Sequence, residues 1–346
     1  MTSLMRVLVE DLCSEKCAGR APGTEGGLAA RQHIVKELSA AGYVPEAQLI
    51  PGSHGANVIA DMTGTVDRWV IVGAHYDHLG VQGGETYWGA DDNAAGVVVM
   101  LFVAQALKRR PPKGRGVIFA AFDAEEPPHF LTRSMGSEYF AENPWVPLEK
   151  VDMMLCMDLV GHAIGPEGMP DEVRQTLFAL GAERSAGTAE HVDRLARAVP
   201  GLVVRRADAE VIPPMSDYDA FWKRKVPFLF LSCGRSRIYH TPDDTPDRLD
   251  YAKMSATASW LERFVRETCE RPAARVPFLD GVRDDRSTLL SLIDVMSALL
   301  RVSPVAAQGR ALAQRLLAAC DREGKLAEVH RAEMRLLASM LEHGLS

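Results

Sequence analysis

The chain has 346 residues, 47% of them hydrophobic and 25% charged; these are ordinary globular values that exclude a disordered or fibrous chain, and this length can bury a large core without disulfide staples. At about 150 residues per domain, it suggests two domains, or one large domain with an appendage. Lys and Arg total 39 against 46 Asp and Glu, and the net charge of -7 argues against a nucleic-acid or anionic-membrane partner, which would want a basic face.

In chain order, Gly27 to Ala41 has helical spacing, with Ile34, Leu38 and Ala41 on one face. Asn57 to Met62 is a short apolar run, and Trp69 to Ala74 (WVIVGA) reads as a strand buried on both faces because it does not alternate. Asn93 to Arg110 is predicted as a helix, closed by two prolines. Gly116 to Phe122 and Asp152 to Met157 are further buried strands; Thr176 to Ala182 is another candidate, followed by a helix from about Thr188 to Ala198. Val226 to Ser232 is the last clear strand, and Tyr251 to Cys269 closes this part as a helix. Strands alternating with helices predict an α/β fold, with a mostly parallel mixed sheet covered on both faces.

Pro, Arg and Asp gather between Arg271 and Asp285, and the chain beyond is helical in pattern. Leu289, Leu292, Ile293, Met296, Leu299 and Leu300 form one apolar stripe; Leu312, Leu316 and Leu317 form a second; Val329, Leu336, Leu337, Met340 and Leu341 form a third. The expected division is an α/β domain over 1–275 and an all-α extension over 283–346. Its helices must bury their stripes, either against the main domain or in a homo-oligomer contact. The strongly apolar stretch Gly96 to Leu107 is too short for a bilayer, which takes about 20 residues. Arg6, Glu10 and Asp11 interrupt any secretory h-region. The six cysteines form no paired framework, so free thiols in a cytoplasmic protein are expected.

Chemistry follows each buried strand. After WVIVGA comes HYDHLG, with His75, Asp77 and His78; a glycine-rich loop then leads to GADDNAAG, with Asp91 and Asp92 before a helix. After GVIFAAF come Asp123, Glu125 and Glu126; Asp158 follows DMMLCM; Tyr239 and His240 lie in RIYHTPDDTPD. In an open parallel sheet, ligands bind beyond the carboxyl ends of the strands, so these clusters are expected to converge. Gathered carboxylates need a compensating positive charge, or their pKa values must rise. No Lys or Arg lies within these motifs before Arg133, so one or two divalent cations supply the charge most economically. Mixed imidazole and carboxylate donors suit zinc and its neighbours better than Ca²⁺ or Mg²⁺. No HExxH motif is present.

From about Ala18 to Phe264 these motifs, with GRAPGTEG and the SDYDAF segment at Ser216 to Phe221, resemble the co-catalytic dizinc aminopeptidases. That family of bacterial secreted-aminopeptidase type also includes the glutaminyl cyclases. The resemblance implies two divalent metals, most commonly zinc, with Asp91 as the bridging carboxylate. Glu126 and His240 would complete one metal site, and His75 and Asp158 the other. Asp77 would hold the His75 ring, and an unusual cis peptide would precede Asp92. It further implies Glu125 as the general base, taking a proton from the attacking water and handing it to the leaving amine, and Tyr239 as an oxyanion donor. His78, His129 and His162 are left as loop or pocket-rim residues.

Two departures stand out. The link between Glu126 and Gly136 is longer than the family's, and Tyr218 stands where relatives usually have His. Pocket loops are expected over His129 to Met135 and Asp208 to Tyr218. The reading is an aminopeptidase acting on peptides. Its rivals are a single-zinc cyclase-like acyltransferase, a related carboxypeptidase or amidohydrolase, and a catalytically silent binding module.

Overall fold

The structure is a computed structural model that describes residues 1–345; Ser346, the last residue of the expected helical extension, lies outside them. Ten strands are described: β1 (Glu46–Leu49), β2 (Ala56–Met62), β3 (Val66–His75), β4 (Gly80–Gln82), β5 (Glu85–Tyr87), β6 (Arg115–Phe122), β7 (Val151–Met157), β8 (Thr176–Leu180), β9 (Val203–Ala207) and β10 (Phe228–Ser232). The helices are α1 (Thr2–Leu12), α2 (Glu25–Ala40), α3 (Ala95–Arg109), α4 (Gly136–Glu142), α5 (Asp171–Arg174), α6 (Thr188–Leu195), α7 (Tyr218–Trp222), α8 (Tyr251–Cys269), α9 (Asp285–Leu299), α10 (Ala306–Ala318) and α11 (Glu328–Leu345).

Eight strands form one mixed sheet in the order β1-β2-β6-β3-β7-β10-β8-β9, and β4-β5 is a separate hairpin. The central run β6, β3, β7 and β10 is parallel; β1, β2 and β8 introduce the antiparallel pairings. Successive side chains of a strand point to opposite faces, and β3 divides accordingly. Val70, Val72 and Ala74 join the core beneath α1, α2, α3 and α8. Trp69 and Ile71 join the core on the other face, with α4, α7 and the C-terminal helices. Both faces are covered, which is why WVIVGA is apolar throughout.

Local chemistry sets the helix starts. The Thr24 side chain caps α2 by accepting from Gly27 N, Asp250 caps α8 through Lys253 N, and Asp284 caps α9 through Ser287 N. The stretch from Ala90 to Arg109, the irregular turn together with α3, is long and apolar enough by composition to cross a bilayer, but 89% of its most apolar window is buried inside the protein. The span is longer than the Gly96 to Leu107 stretch judged too short for a bilayer, and its burial marks it as a core helix. Five cysteines are buried, Cys320 is partly so, and all six are free.

The C-terminal helices pack on the β8–β9 end of the sheet. Leu289, Leu292, Met296, Leu316, Met334 and Leu337 bury their stripes in the second core, while Val329, Leu336 and Met340 on α11 remain exposed. β1, β9 and the β4-β5 hairpin carry too little pattern to have been expected; α1 was missed although Met5, Leu8, Val9 and Leu12 fall at helical spacing. β8 ends at Leu180, two residues short of the expected bound.

Candidate metal centre

Parallel pairing aligns the carboxyl ends of the central strands. His75 at the end of β3 sits in register with Phe122 of β6, and Met157 of β7 with Leu231 of β10. The residues just beyond, Asp77 and His78, Asp123 to Glu126, and Asp158, therefore meet on one rim, at the point where the sheet order turns outward on both sides of β3.

Two groups of donor atoms form there. One comprises His78, Asp92, Glu126 and His240; the other comprises His75, Asp92 and Asp158; within each group the candidate ligand atoms lie within 4.8 Å of one another. His240 Nε2 is 3.1 Å from both Asp92 Oδ2 and Glu126 Oε1. His75 Nε2 is 3.4 Å from Asp92 Oδ1 and 3.5 Å from Asp158 Oδ1. Asp92 thus offers one oxygen to each group.

The place shared by the two donor groups, expected for Asp91, is occupied by Asp92. Asp91 turns away: its Oδ1 accepts from Gly161 N at 2.7 Å, and its Oδ2 lies 2.6 Å from His162 Nδ1. Adjacent residues point in different directions along this irregular turn (90–94), so only one of the pair can face the crevice. The cis peptide is Asp92–Asn93, following Asp92 rather than preceding it. The Asp244 carboxylate holds the turn by accepting from the backbone amides of Asp91 and Asp92. Gly89 fits because its φ is +57° and an added Cβ would lie 2.3 Å from Asp92 O.

Asp77 is fully buried beneath the cluster. Its Oδ1 is 3.6 Å from His75 Nδ1, and its two oxygens accept from the amides of Glu125 and Glu126. It therefore orients both the imidazole and the acidic pair. Arg20, from the GRAPGTEG segment, is fully buried and donates to the carbonyls of Tyr76, Trp88 and Gly89, tying the HYDHLG strand end to the GADD turn. Asp123 plays a different part: it accepts from Tyr76 Oη at 2.5 Å and from Ala56 N, and burial, reinforced by the Asp77 charge, lifts its carboxyl to about 7.

His78 belongs to the cluster more closely than its sequence position suggested. Its Nδ1 is 3.0 Å from Glu126 Oε1, and its ring is fully buried. His162 lies against Asp91, and half-buried His129 follows the acidic pair without joining either group. Sequence reasoning named Asp92 but gave it no place between the donor groups, and it missed Asp244 and Arg20. The repeated Asp of GADD was the available signal for the first, but spacing alone does not say which of two neighbours faces inward.

The electrostatics are those of an acidic cluster short of positive charge. Burial raises the Glu125 carboxyl most, His75 pulls it down, and Asp158 and Glu126 push it up again, leaving it well above the usual range. Burial likewise raises Asp158, against the pull of His75. Burial opposes the His75 imidazolium, yet Glu125 and Asp158 outweigh it and carry its pKa well up. Among the described residues, His75 Nε2, His78 Nε2 and Asp158 Oδ1 are buried without a hydrogen-bond partner. Buried polar atoms are nearly always satisfied, so His75 Nε2 and Asp158 Oδ1, left unsatisfied 3.5 Å apart, fit a divalent cation of the zinc type.

Glu125 reaches the same space without belonging to either group: its Oε2 is 3.9 Å from His75 Nε2. The Tyr239 ring stacks on His240 at 3.9 Å, and burial, then the cluster's carboxylates, raise its phenol above the ordinary value. A cavity of about 520 Å³ opens beside Asp158 and Tyr239. It runs between the sheet (Phe178, Phe230), the loop at Ile212 to Met215, and α11. The expected 208–218 loop thus contributes to the cavity. Residues 129–135 do not line it; they fold back over Glu126 in turns closed from His129 N to Glu126 O and from Thr132 N to His129 O.

Fold and cluster together define a metal-dependent α/β enzyme. Residues 57–265 match the profile described as Peptidase family M28. The chain is 31% identical over 227 residues to the uncharacterized protein YfbL of Escherichia coli, covering 60% of this chain and 69% of that one. It is 26% identical over 297 residues to a glutaminyl-peptide cyclotransferase of Bos taurus, covering 72% and 78% of the two chains. Among solved structures, a Zn-dependent exopeptidase of Parabacteroides distasonis superposes with a TM-score of 0.61 at 19% identity, over 77% of this chain and 98% of the other. LapB of Legionella pneumophila superposes with a TM-score of 0.66 at 18% identity, over 78% and 73%. The chain belongs to peptidase family M28.

Proposed function

We propose that the protein is a metal-dependent aminopeptidase that hydrolyses the N-terminal bond of peptides. The observation that carries this reading is the placement of Asp92 between two donor groups, with the Glu125 carboxyl beside His75 and part of neither group. One group holds Glu126 and His240, with His78 against Glu126; the other holds His75 and Asp158. The cations they would hold supply an acidified water and a polarised carbonyl.

The remaining steps belong to the chain. Glu125 takes the proton of the attacking water at its carboxylate and delivers it to the leaving amine; general catalysis of this kind is worth about 10²–10⁴-fold. Tyr239, kept protonated by its surroundings, donates its phenol hydrogen to the developing oxyanion. Asp77 keeps the His75 ring and the acidic pair in place, which excludes rotamers that would scatter the ligands.

A single-metal cyclase reading is favoured by the similarity to a glutaminyl-peptide cyclotransferase. It leaves the buried His75 and Asp158 atoms without a purpose. The test is the Glu125→Gln variant assayed on aminoacyl-nitroanilides and on a glutamine-led peptide, with elemental analysis of each preparation. The aminopeptidase reading expects turnover of the nitroanilides to be lost on chelation, and to fall at least ~10²-fold in the variant at unchanged metal content. Normal hydrolysis by the variant, or activity confined to the glutamine-led peptide, overturns it.

A further inference from the structure

The cavity beside the metal centre is walled partly by a segment outside the family's matched region. The M28 match ends at residue 265, whereas Ala338, Leu341, Glu342 and Leu345 of α11 line the cavity. Three ties fix that helix. Leu337 and Met334 are buried in the second core. Arg331 is buried among Asp208, Glu210 and Asp285. Glu342 accepts from Arg235 through its backbone amide, Nε and a guanidinium nitrogen at 2.8–3.1 Å. Arg235 lies on the loop that leads to Tyr239 and His240. One helix therefore closes the cavity and is held to the loop that carries two site residues.

We propose that α11 is the specificity wall of this enzyme: it closes an apolar pocket that admits an N-terminal residue with a large aliphatic or aromatic side chain, with Ala338 and Leu341 setting its depth. The inference rests on the aminopeptidase reading. Asp158, a member of one donor group, and Tyr239, stacked on His240, both line the cavity, so a substrate whose first carbonyl sits at the cluster places its first side chain in the cavity. Phe178, Phe230 and Leu292 face that side chain from the sheet and α9. About 520 Å³ lies within the usual span of ligand pockets, about 300–1,000 Å³. Burying a large apolar side chain is worth about 1.5–3 kcal/mol over leaving it exposed, whereas Gly or Ala would leave most of this space unfilled.

The test compares kcat/KM for Phe- or Leu-led against Ala-led dipeptide amides in the full-length, metal-loaded wild type, in Ala338→Phe and in Leu341→Ala. Melting temperature and metal content are measured alongside. The wild type is expected to favour the large residues at least 10-fold. Ala338→Phe fills the cavity and should lower that ratio at least 10-fold. Leu341→Ala deepens it and should raise turnover of Trp-led relative to Leu-led substrate at least threefold; because it only truncates a half-buried side chain, it reads out the wall even if Ala338→Phe does not fold. Folded, metal-loaded variants with the wild-type preference, or a wild type that prefers Ala, overturn the proposal. Calorimetric binding of phenylalaninol and alaninol separates the two failures. Tighter phenylalaninol binding, weakened by Ala338→Phe in a protein that hydrolyses no peptide, sinks the aminopeptidase reading and keeps the pocket. Equal binding of the two alcohols in a protein that does hydrolyse peptides sinks the pocket alone.

Discussion

Arg331→Met is the sharpest test of how the C-terminal helices are held. Arg331 is 2% exposed, and two of the carboxylates it meets, Asp208 and Asp285, are fully buried. Its Nε is 2.7 Å from Asp285, and its two terminal nitrogens are 2.6 Å from Asp208 and 2.5 Å from Glu210. Met keeps much of the stem volume and removes the charge. Breaking a buried ion pair costs about 3–5 kcal/mol, because the partner stays buried and uncompensated. Here the partners keep other donors: Asp208 accepts from the amides of Glu210 and Asp284, and Asp285 from that of Leu326. The lower end, about 3 kcal/mol, is therefore expected. If the loss falls on α11 alone, its amides should exchange roughly 10²-fold faster, since about 1.4 kcal/mol is a factor of ten. If it spreads over the whole chain, an unfolding entropy of about 2.1 cal/mol/K per residue puts the drop in Tm near 4 °C. Hydrogen exchange by mass spectrometry, with a melting curve, distinguishes the two. Exchange in α11 within twofold of wild type at an unchanged Tm would refute the idea that this network docks the helix.

Other expectations concern the site and one histidine remote from it. Asp92→Asn should weaken metal binding at least tenfold by equilibrium dialysis, whereas Asp91→Asn, which only loosens the Gly161–His162 turn, should leave it within about threefold; the reverse order would restore Asp91 as the shared ligand. Asp77→Asn should reduce metal affinity about 10–100-fold without changing stoichiometry, and an unaltered affinity would remove its orienting role. His191 stacks on Phe264 at 4.3 Å, and burial, then Arg271, lower its pKa to about 4. The unfolded chain takes up that proton near the ordinary value of 6.5, so the stabilisation is complete above 6.5 and is lost as pH falls toward 4. His191→Gln should therefore flatten the fall in Tm between pH 7 and pH 5; an unchanged slope would mean the histidine does not report on folding.

What the sequence disclosed and what it hid divide along a physical line. Buried central strands must be apolar on both faces, so β3, β6, β7 and β10 announced themselves, and their order fixed where the polar residues after them would emerge. His75, Glu126, Asp158 and His240 were legible for that reason: each lies within a few residues of a strand end or in a short distinctive run. Asp92 was not, because the decision between it and Asp91 is made by backbone torsions in a five-residue turn and by Asp244, some 150 positions away, which grips both amides. Arg20 was hidden likewise, since nothing in GRAPGTEG says that its guanidinium will collect carbonyls from Tyr76, Trp88 and Gly89. The helical stripes after Asp285 showed that those helices must bury a face but not which one they would meet. The structure answers through charge: Arg331 needs buried acids, Asp208 and Asp285 supply them, and that pairing holds α11 beside the cavity. The same polar lock then brings Glu342 to Arg235. The residue that docks the helix thereby sets one wall of the cavity beside the donor cluster, so stability of the tail and shape of the cavity depend on one set of contacts.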